Sequence, residues 1–330
     1  MAPEPATPET AELVRAGGDH VPALLRAVEA RLRADAVAHG APLGAEGSAT
    51  VAAGGKRLRP LLVLLAGGPP RSPEQEHALI CSAAAVELVH SATLVHDDVL
   101  DRAELRRGHP TVVARGGRDL AVATGDALFA RAFAALTETA EPEAVRVLSD
   151  ACSALARGEL LQRADAWDTT IDVDRYLLRC ELKTARLFEA ACRLGTLATG
   201  QAGLDLGPFG RRIGLGFQIL DDVLDVSGPA ERTGKHRGTD LLDGTVTLPL
   251  IAARERDPAL AAIDLRSVTD AAQAEALCDM IAATGALDDA RTHALGLVAD
   301  AKRQLDPGRL GSDRADALGL VADSVVERYR

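Results

Sequence analysis

Aromatic side chains are almost missing from this sequence of 330 residues: one Trp, two Tyr and five Phe make up 2% of it. A core built around aromatic rings is thereby excluded. With 47% hydrophobic residues there is still ample core material, which must come mainly from Ala, Leu and Val. An excess of basic charge is also lacking. The net charge of −11 argues against a broad nucleic-acid surface, which leaves a basic footprint. No C-x-x-C pair occurs among Cys81, Cys152, Cys180, Cys192 and Cys278, so a disulfide framework or a zinc site is not expected. Reduced thiols in a cytoplasmic protein fit these scattered cysteines better. The first residues, MAPEPATPET, have no basic region followed by an apolar run. No apolar stretch comes close to the roughly 20 residues that cross a bilayer, and no integral membrane association is expected.

Lysine is the remaining scarcity, with four (Lys56, Lys183, Lys235, Lys302) against thirty-three arginines. A compact ammonium and a planar guanidinium are not interchangeable. Lysines kept in such a chain mark places where a point charge is needed. Helical patterning dominates. Ser72, Pro73 and Gln75 form a capping-box start for a long helix over 73–101. Further helices are predicted near 20–38, 119–138, 143–164, 173–198 and 209–226, with more beyond 246. Strand-and-hairpin patterning is absent. The reading is therefore all-α, with a disordered tail over 1–18, a single domain over 19–330 and a loop over 227–245.

One five-residue string, DDVLD, occurs twice, at 97–101 and 221–225. On a helix, Asp97 and Asp101 share a face, as do Asp221 and Asp225, and like charges at that spacing repel. Near a helix C-terminus the macrodipole adds to the cost. A hard cation reverses both terms, and Mg²⁺ binds a few carboxylates together with substrate phosphates. Neither copy has the calcium-loop pattern. Around these motifs stand Gly54-Gly55-Lys56-Arg57-Leu58-Arg59-Pro60, Arg106-Arg107, Lys183-Thr184 and Gly234-Lys235. Carboxylates for a metal with lysine and arginine nearby suit a polyphosphate. The nucleotide P-loop pattern is missing.

Taken together, GGKRLRP, HSATLVHDDVLD, LRRGHPT, TGDALFARA, GELLQ, YLLRCELKTARLFEA, GFQILDDVLD and GKHRGTDLLDGTVTLP resemble a trans-isoprenyl diphosphate synthase over about residues 50–255. The resemblance implies a bundle of long antiparallel helices around a deep central cavity, in a homodimer. It implies Mg²⁺-dependent head-to-tail joining of isopentenyl diphosphate to an allylic diphosphate. Asp97, Asp98, Asp101, Asp221, Asp222 and Asp225 are then the metal ligands. Lys183, Lys235 and Arg106 grip the allylic diphosphate, and Lys56, Arg59, His90 and Arg107 hold isopentenyl diphosphate. Thr184, Gln218 and either Glu159 or Gln162 line the carbocation, and Asp240 helps to close the site. His96, His109, Trp167 and Tyr176 are read as packing residues. Where many relatives carry a lysine, this chain has Thr245, for which Arg232 or Arg237 could substitute.

Ala92, Thr93 and Val89, on the turns before Asp97, are small enough for a long product, and the wording resembles long-chain synthases. Products of C30–C50 are expected. The alternatives are a geranylgeranyl (C20) synthase with a tunnel closed by Phe129 and Phe133, a class I terpene cyclase, and a non-catalytic subunit of a heteromeric synthase.

Overall fold

The structure is a computed structural model that describes residues 8–106, 108–228 and 237–327. Helices form almost all of its regular structure. Helix α5, Pro73–Leu100, begins as its sequence dictates: the Ser72 side chain accepts from the Gln75 backbone N–H. Asp101 ends it, its N–H donating to the Asp97 carbonyl. Before α5 come α1 (Pro8–Ala16), α2 (His20–Val37), α3 (Leu43–Ala52) and α4 (Leu58–Gly67). After it come β1 (Leu105–Arg106) and β2 (His109–Pro110), then α6 (Val112–Thr137) and α7 (Pro142–Ala164).

Two expectations change here. Part of the segment read as a disordered tail is helical, because α1 buries Leu13. The two-residue strands form a small antiparallel hairpin that sequence patterning missed, with Gly108 at φ +76° in its turn. Two strands of two residues are too short to show a period.

The predicted 173–198 helix is present as α8 (Val173–Cys180) and α9 (Arg186–Ala198), joined by a π turn over Glu181–Ala185. Then follow α10 (Gly207–Ser227), α11 (Thr239–Leu242), α12 (Leu248–Arg254), α13 (Pro258–Ala261), α14 (Ala271–Ala283), α15 (Ala286–Arg303), α16 (Pro307–Leu310) and α17 (Ser312–Glu327).

The chain divides into two compact units. The first comprises residues up to Cys152, Leu187–Gly207 and Leu305–Val321; the second comprises Ser153–Arg186, Pro208–Gln304 and residues from Ala322 onward. In the first unit α5 is the central element and packs against α2, α4 and α6. Its Ala83, Ala84, Ala85, Val86, Leu88 and Val89 have no exposed surface. Small side chains let neighbouring helices approach closely, which is how a core nearly free of aromatics reaches interior density. Contrary to the sequence reading, α5 and α6 are both long and apolar enough to cross a bilayer by composition alone. In α5, 78% of that apolar window is buried within the protein. Burying an apolar helix among other helices satisfies the same hydrophobic demand as lipid does.

Candidate functional site

In the first unit the Gly-Gly-Lys-Arg-Leu-Arg-Pro loop is set by backbone geometry. Gly54 has φ +77° and Arg57 φ +48°, in the left-handed region. Arg57 is held there by three groups: Nε donates to Glu29 at 2.6 Å, Nη1 to Glu87 at 2.7 Å, and Nη2 to the Val51 carbonyl at 2.8 Å. Glu87, buried on α5, therefore pins the loop one helical turn before His90. The guanidinium of Arg59 lies 4.6 Å from the centre of the Phe188 ring. Its buried Nε has no hydrogen-bond partner among the described residues. Burial lowers its pKa to about 10, with Glu87 opposing the shift. An enclosed cation with an unused donor suits an anionic ligand.

At the end of α5, Asp98 is buried whereas Asp97 is half-buried and Asp101 exposed. Arg106 forks onto Asp98, Nε and Nη2 each 2.7 Å from the same Oδ1. A guanidinium assigned to the allylic diphosphate thus neutralises a motif aspartate in this structure. A charge as enclosed as Asp98 needs a partner. Arg107 lies outside the described residues.

His96 keeps its packing role: its ring lies 5.7 Å from that of Phe129, and Nε2 is 3.2 Å from the Val122 carbonyl. Gly125 leaves it room, since a Cβ there would come within 2.2 Å of that nitrogen. His109 is exposed. Ala92 and Val89 have no accessible surface, so neither borders an open channel here; Thr93 is partly exposed. The Thr93 hydroxyl donates to the His90 carbonyl at 2.8 Å.

In the second unit the π turn holds Lys183 and Thr184. Such widened turns inside a helix are frequent at functional sites. Gly158 of α7 lets it pack closely, because a Cβ there would meet the Lys183 backbone N at 2.5 Å. One residue on, Glu159 Oε2 lies 2.5 Å from Lys183 Nζ. Thr184 donates to Gln218 Oε1 at 2.7 Å, and Gln218 Nε2 donates to Asp222 Oδ1 at 2.8 Å. The Tyr176 hydroxyl donates to Asp222 Oδ2 at 2.6 Å.

Tyr176 was read as packing alone. It is fully buried, yet its hydroxyl orients a motif carboxylate, as a buried Tyr with a polar handle does. Arg179, also missed, is buried with its guanidinium 5.5 Å from the Tyr176 ring and bonded to the Val246 carbonyl. No sequence signal separated Arg179 from thirty-two other arginines.

Burial pushes the Asp222 carboxyl up to about 7, and the charge of Asp221 adds to it. Asp240 is raised well above the carboxylate range by burial, then by Asp225, Asp222, Asp221 and Asp243. Its N–H donates to Asp225 Oδ2 at 3.2 Å. Asp240 thus belongs with the second aspartate motif as well as with the loop. Lys235 and Arg232 lie outside the described residues. Arg237 is occupied by the Val226 carbonyl at 2.8 Å and Asp279 at 2.9 Å. Trp167 supports this region by packing over Gly244, whose added Cβ would lie 2.3 Å from the indole. The Thr245 N–H donates to the Asp240 carbonyl at 2.8 Å.

Crowded carboxylates, of which Asp222 and Asp240 are raised by burial first and by neighbouring charge second, offer only oxygen donors and fit a hard divalent ion such as Mg²⁺. Asp222 has both oxygens engaged by neutral donors and could give an ion only remaining lone pairs. Asp221 and Asp225 are more open.

Residues 43–282 match the polyprenyl synthetase family model. Over 277 residues the chain is 40% identical to heptaprenyl diphosphate synthase component 2 of Geobacillus stearothermophilus, covering 82% of this chain and 85% of that one. It is 37% identical to geranylgeranyl diphosphate synthase of Methanosarcina mazei, over 78% and 81% of the two chains. The fold is similar to the crystal structure of a polyprenyl synthase from Caulobacter crescentus complexed with calcium and isoprenyl diphosphate. That likeness has a TM-score of 0.84 at 34% identity, over 97% and 98% of the chains.

The chain belongs to the polyprenyl synthetase family. It is a prenyltransferase with an all-α fold.

Proposed function

We propose that the chain is an Mg²⁺-dependent all-trans polyprenyl diphosphate synthase. It adds isopentenyl diphosphate head to tail to an allylic diphosphate, with release of pyrophosphate. The observation that supports this best is the crowding of Asp221, Asp222, Asp225 and Asp240, in which Asp222 and Asp240 are raised by burial and then by neighbouring carboxylates, an arrangement that a cation relieves. The first motif, Asp97, Asp98 and Asp101, serves the same leaving group. Bound Mg²⁺ supplies charge stabilisation to the departing pyrophosphate.

The protein's own residues do the rest. Lys183, Lys235 and Arg106 hold the allylic diphosphate, which displaces Lys183 from Glu159 and Arg106 from Asp98. Lys56, Arg59, His90 and Arg107 hold isopentenyl diphosphate without metal. Thr184 and Gln218, locked by their mutual hydrogen bond, present dipoles rather than nucleophiles to the carbocation. Asp240 helps to close the site and to exclude water, which would trap the cation as an alcohol.

Products of C30–C50 are favoured by Thr93, small and partly exposed one turn before Asp97, and by the heptaprenyl name of one relative. The other relative's geranylgeranyl name supports a C20 product as the second reading. Free cysteines, four of them buried, suit a reducing cytoplasm. Homodimers are the expected assembly, although the designation "component 2" of one relative raises a partner subunit as a further possibility.

Mass spectrometry of products from the purified chain with Mg²⁺, isopentenyl diphosphate and a panel of allylic primers tests all of this. Linear C30–C50 diphosphates are expected. Cyclic hydrocarbon made without isopentenyl diphosphate would overturn the reaction, C20 the product range, and inactivity of the chain alone its independence from a partner.

A further inference from the structure

A second, chemically different cluster lies in the first unit, on the N-terminal half of α5. His77 and Cys81 are four residues apart on one helical face, and Glu138 caps the C-terminus of α6. Cys81 Sγ lies 3.5 Å from His77 Nε2 and 4.0 Å from Glu138 Oε2, and His77 Nε2 lies 3.6 Å from that oxygen. These three donor atoms all fall within 4.8 Å of one another. A tetrahedral zinc ion, with bonds of about 2.3 Å to sulfur and 2.0–2.2 Å to nitrogen and oxygen, separates its donors by about 3.4–3.6 Å. The cluster therefore has nearly that spacing before any ion arrives.

We infer that His77, Cys81 and Glu138 form a zinc-type metal site, distinct in donor chemistry from the all-oxygen aspartate motifs. Sulfur and imidazole select zinc-like ions over Mg²⁺. Thiolate, carboxylate and neutral imidazole together cancel the charge of a divalent ion; the thiol proton leaves to solvent. Cys81 has no exposed surface, while the side chains of His77 and Glu138 are about half exposed (49% and 42%). The ion reaches the thiol from the solvent side, and water completes its coordination.

The supporting shell is present. Arg31 donates from Nη2 to Glu138 Oε1 at 2.6 Å and from Nη1 to Oε2 at 2.8 Å. Metal takes Oε2 and leaves Oε1 on the guanidinium. Burial pushes the Cys81 thiol up to about 11, and Arg31 Nη1, 3.5 Å from Sγ, opposes that rise; Arg31 Nε is fixed by Asp35 at 2.7 Å. Such outer partners orient ligands and raise metal affinity. Cys81 precedes Asp97 by sixteen residues, about 24 Å along the helix. The site ties α5 to the end of α6 and stabilises the folded chain by linkage, without entering prenyl transfer.

The test uses the whole purified chain with Co²⁺ in place of Zn²⁺. Wild type should show a thiolate-to-cobalt charge-transfer band in the near ultraviolet, absent from Cys81→Ser. His77→Ala and Glu138→Gln, each changed at a side chain about half exposed, should each weaken Co²⁺ binding about tenfold or more. Zn²⁺ should raise the melting temperature of wild type and not of His77→Ala. No band in wild type, a band that survives in Cys81→Ser, or equal affinity in His77→Ala and wild type overturns the assignment. Oxygen-only binding at the aspartates gives no such band, so it cannot mimic the result.

Discussion

Lys183 Nζ and Glu159 Oε2 stand 2.5 Å apart because Gly158, the residue before the glutamate, has no side chain to hold α7 away from the π turn. The lysine is thereby held against a carboxylate, and the proposed role of Lys183 on the allylic diphosphate requires that this pair open. Lys183→Ala should lower kcat/KM for the allylic substrate by about 10²–10³-fold, as loss of one preorganised electrostatic partner does. KM for isopentenyl diphosphate should change little. Gly158→Val should shift the turn, destabilise the fold by roughly 1–3 kcal/mol and lower the same kcat/KM. Steady-state kinetics with each substrate varied separately checks both.

Arg57 is a structural cation, held on Glu29 and Glu87. Arg57→Ala strips the buried Glu87 of its counter-charge and should cost about 3–5 kcal/mol by urea unfolding. Arg57→Leu with Glu87→Leu together should recover most of that loss, since replacing both members of a buried pair is far cheaper than removing one.

Asp240 shows the opposite balance. Among Asp221, Asp222, Asp225 and Asp243, its charge works against the metal-free fold. Asp240→Asn should therefore melt about 2 °C above wild type in EDTA, a gain of the order of 1 kcal/mol. The same variant should need several-fold more Mg²⁺ for half-maximal activity. A melting temperature in EDTA below that of wild type would contradict the electrostatic account.

Chain length separates two neighbouring residues. Thr93 is partly exposed on the face that carries His90 and Asp97, whereas Ala92 is enclosed. Thr93→Phe should shorten the product while the protein stays folded. Ala92→Phe should instead overpack α5 and lower stability by roughly 1–3 kcal/mol. Product mass spectrometry and thermal melting of the two variants distinguish tunnel from core.

EDTA should abolish prenyl transfer, and Mg²⁺ should restore it. Asp98→Asn and Asp221→Asn should each reduce kcat by about 10²-fold or more, read in the same assay.

Long helices were the most legible elements. The Ser72 cap, Pro73 and an unbroken apolar run specify α5 locally, so its start and end fall where the sequence puts them. The two aspartate motifs stood out because repeated, mutually repelling carboxylates are costly without a partner. The hairpin around Gly108 was not, since four residues carry no periodicity. Tyr176 and Arg179 were not either. Their roles come from contacts across 46 and 67 residues of chain, to Asp222 and to the Val246 carbonyl.

By itself the sequence determined the helical class, the two aspartate motifs and the cations that suit a diphosphate, because each follows from local spacing and charge. Tertiary structure decided which charges are enclosed and which partners they meet. It put Arg57 on Glu87, Arg106 on Asp98 and Asp240 among the second motif's aspartates. Burial sets the energy of a charge, and burial is a property of the packed chain rather than of any stretch of it.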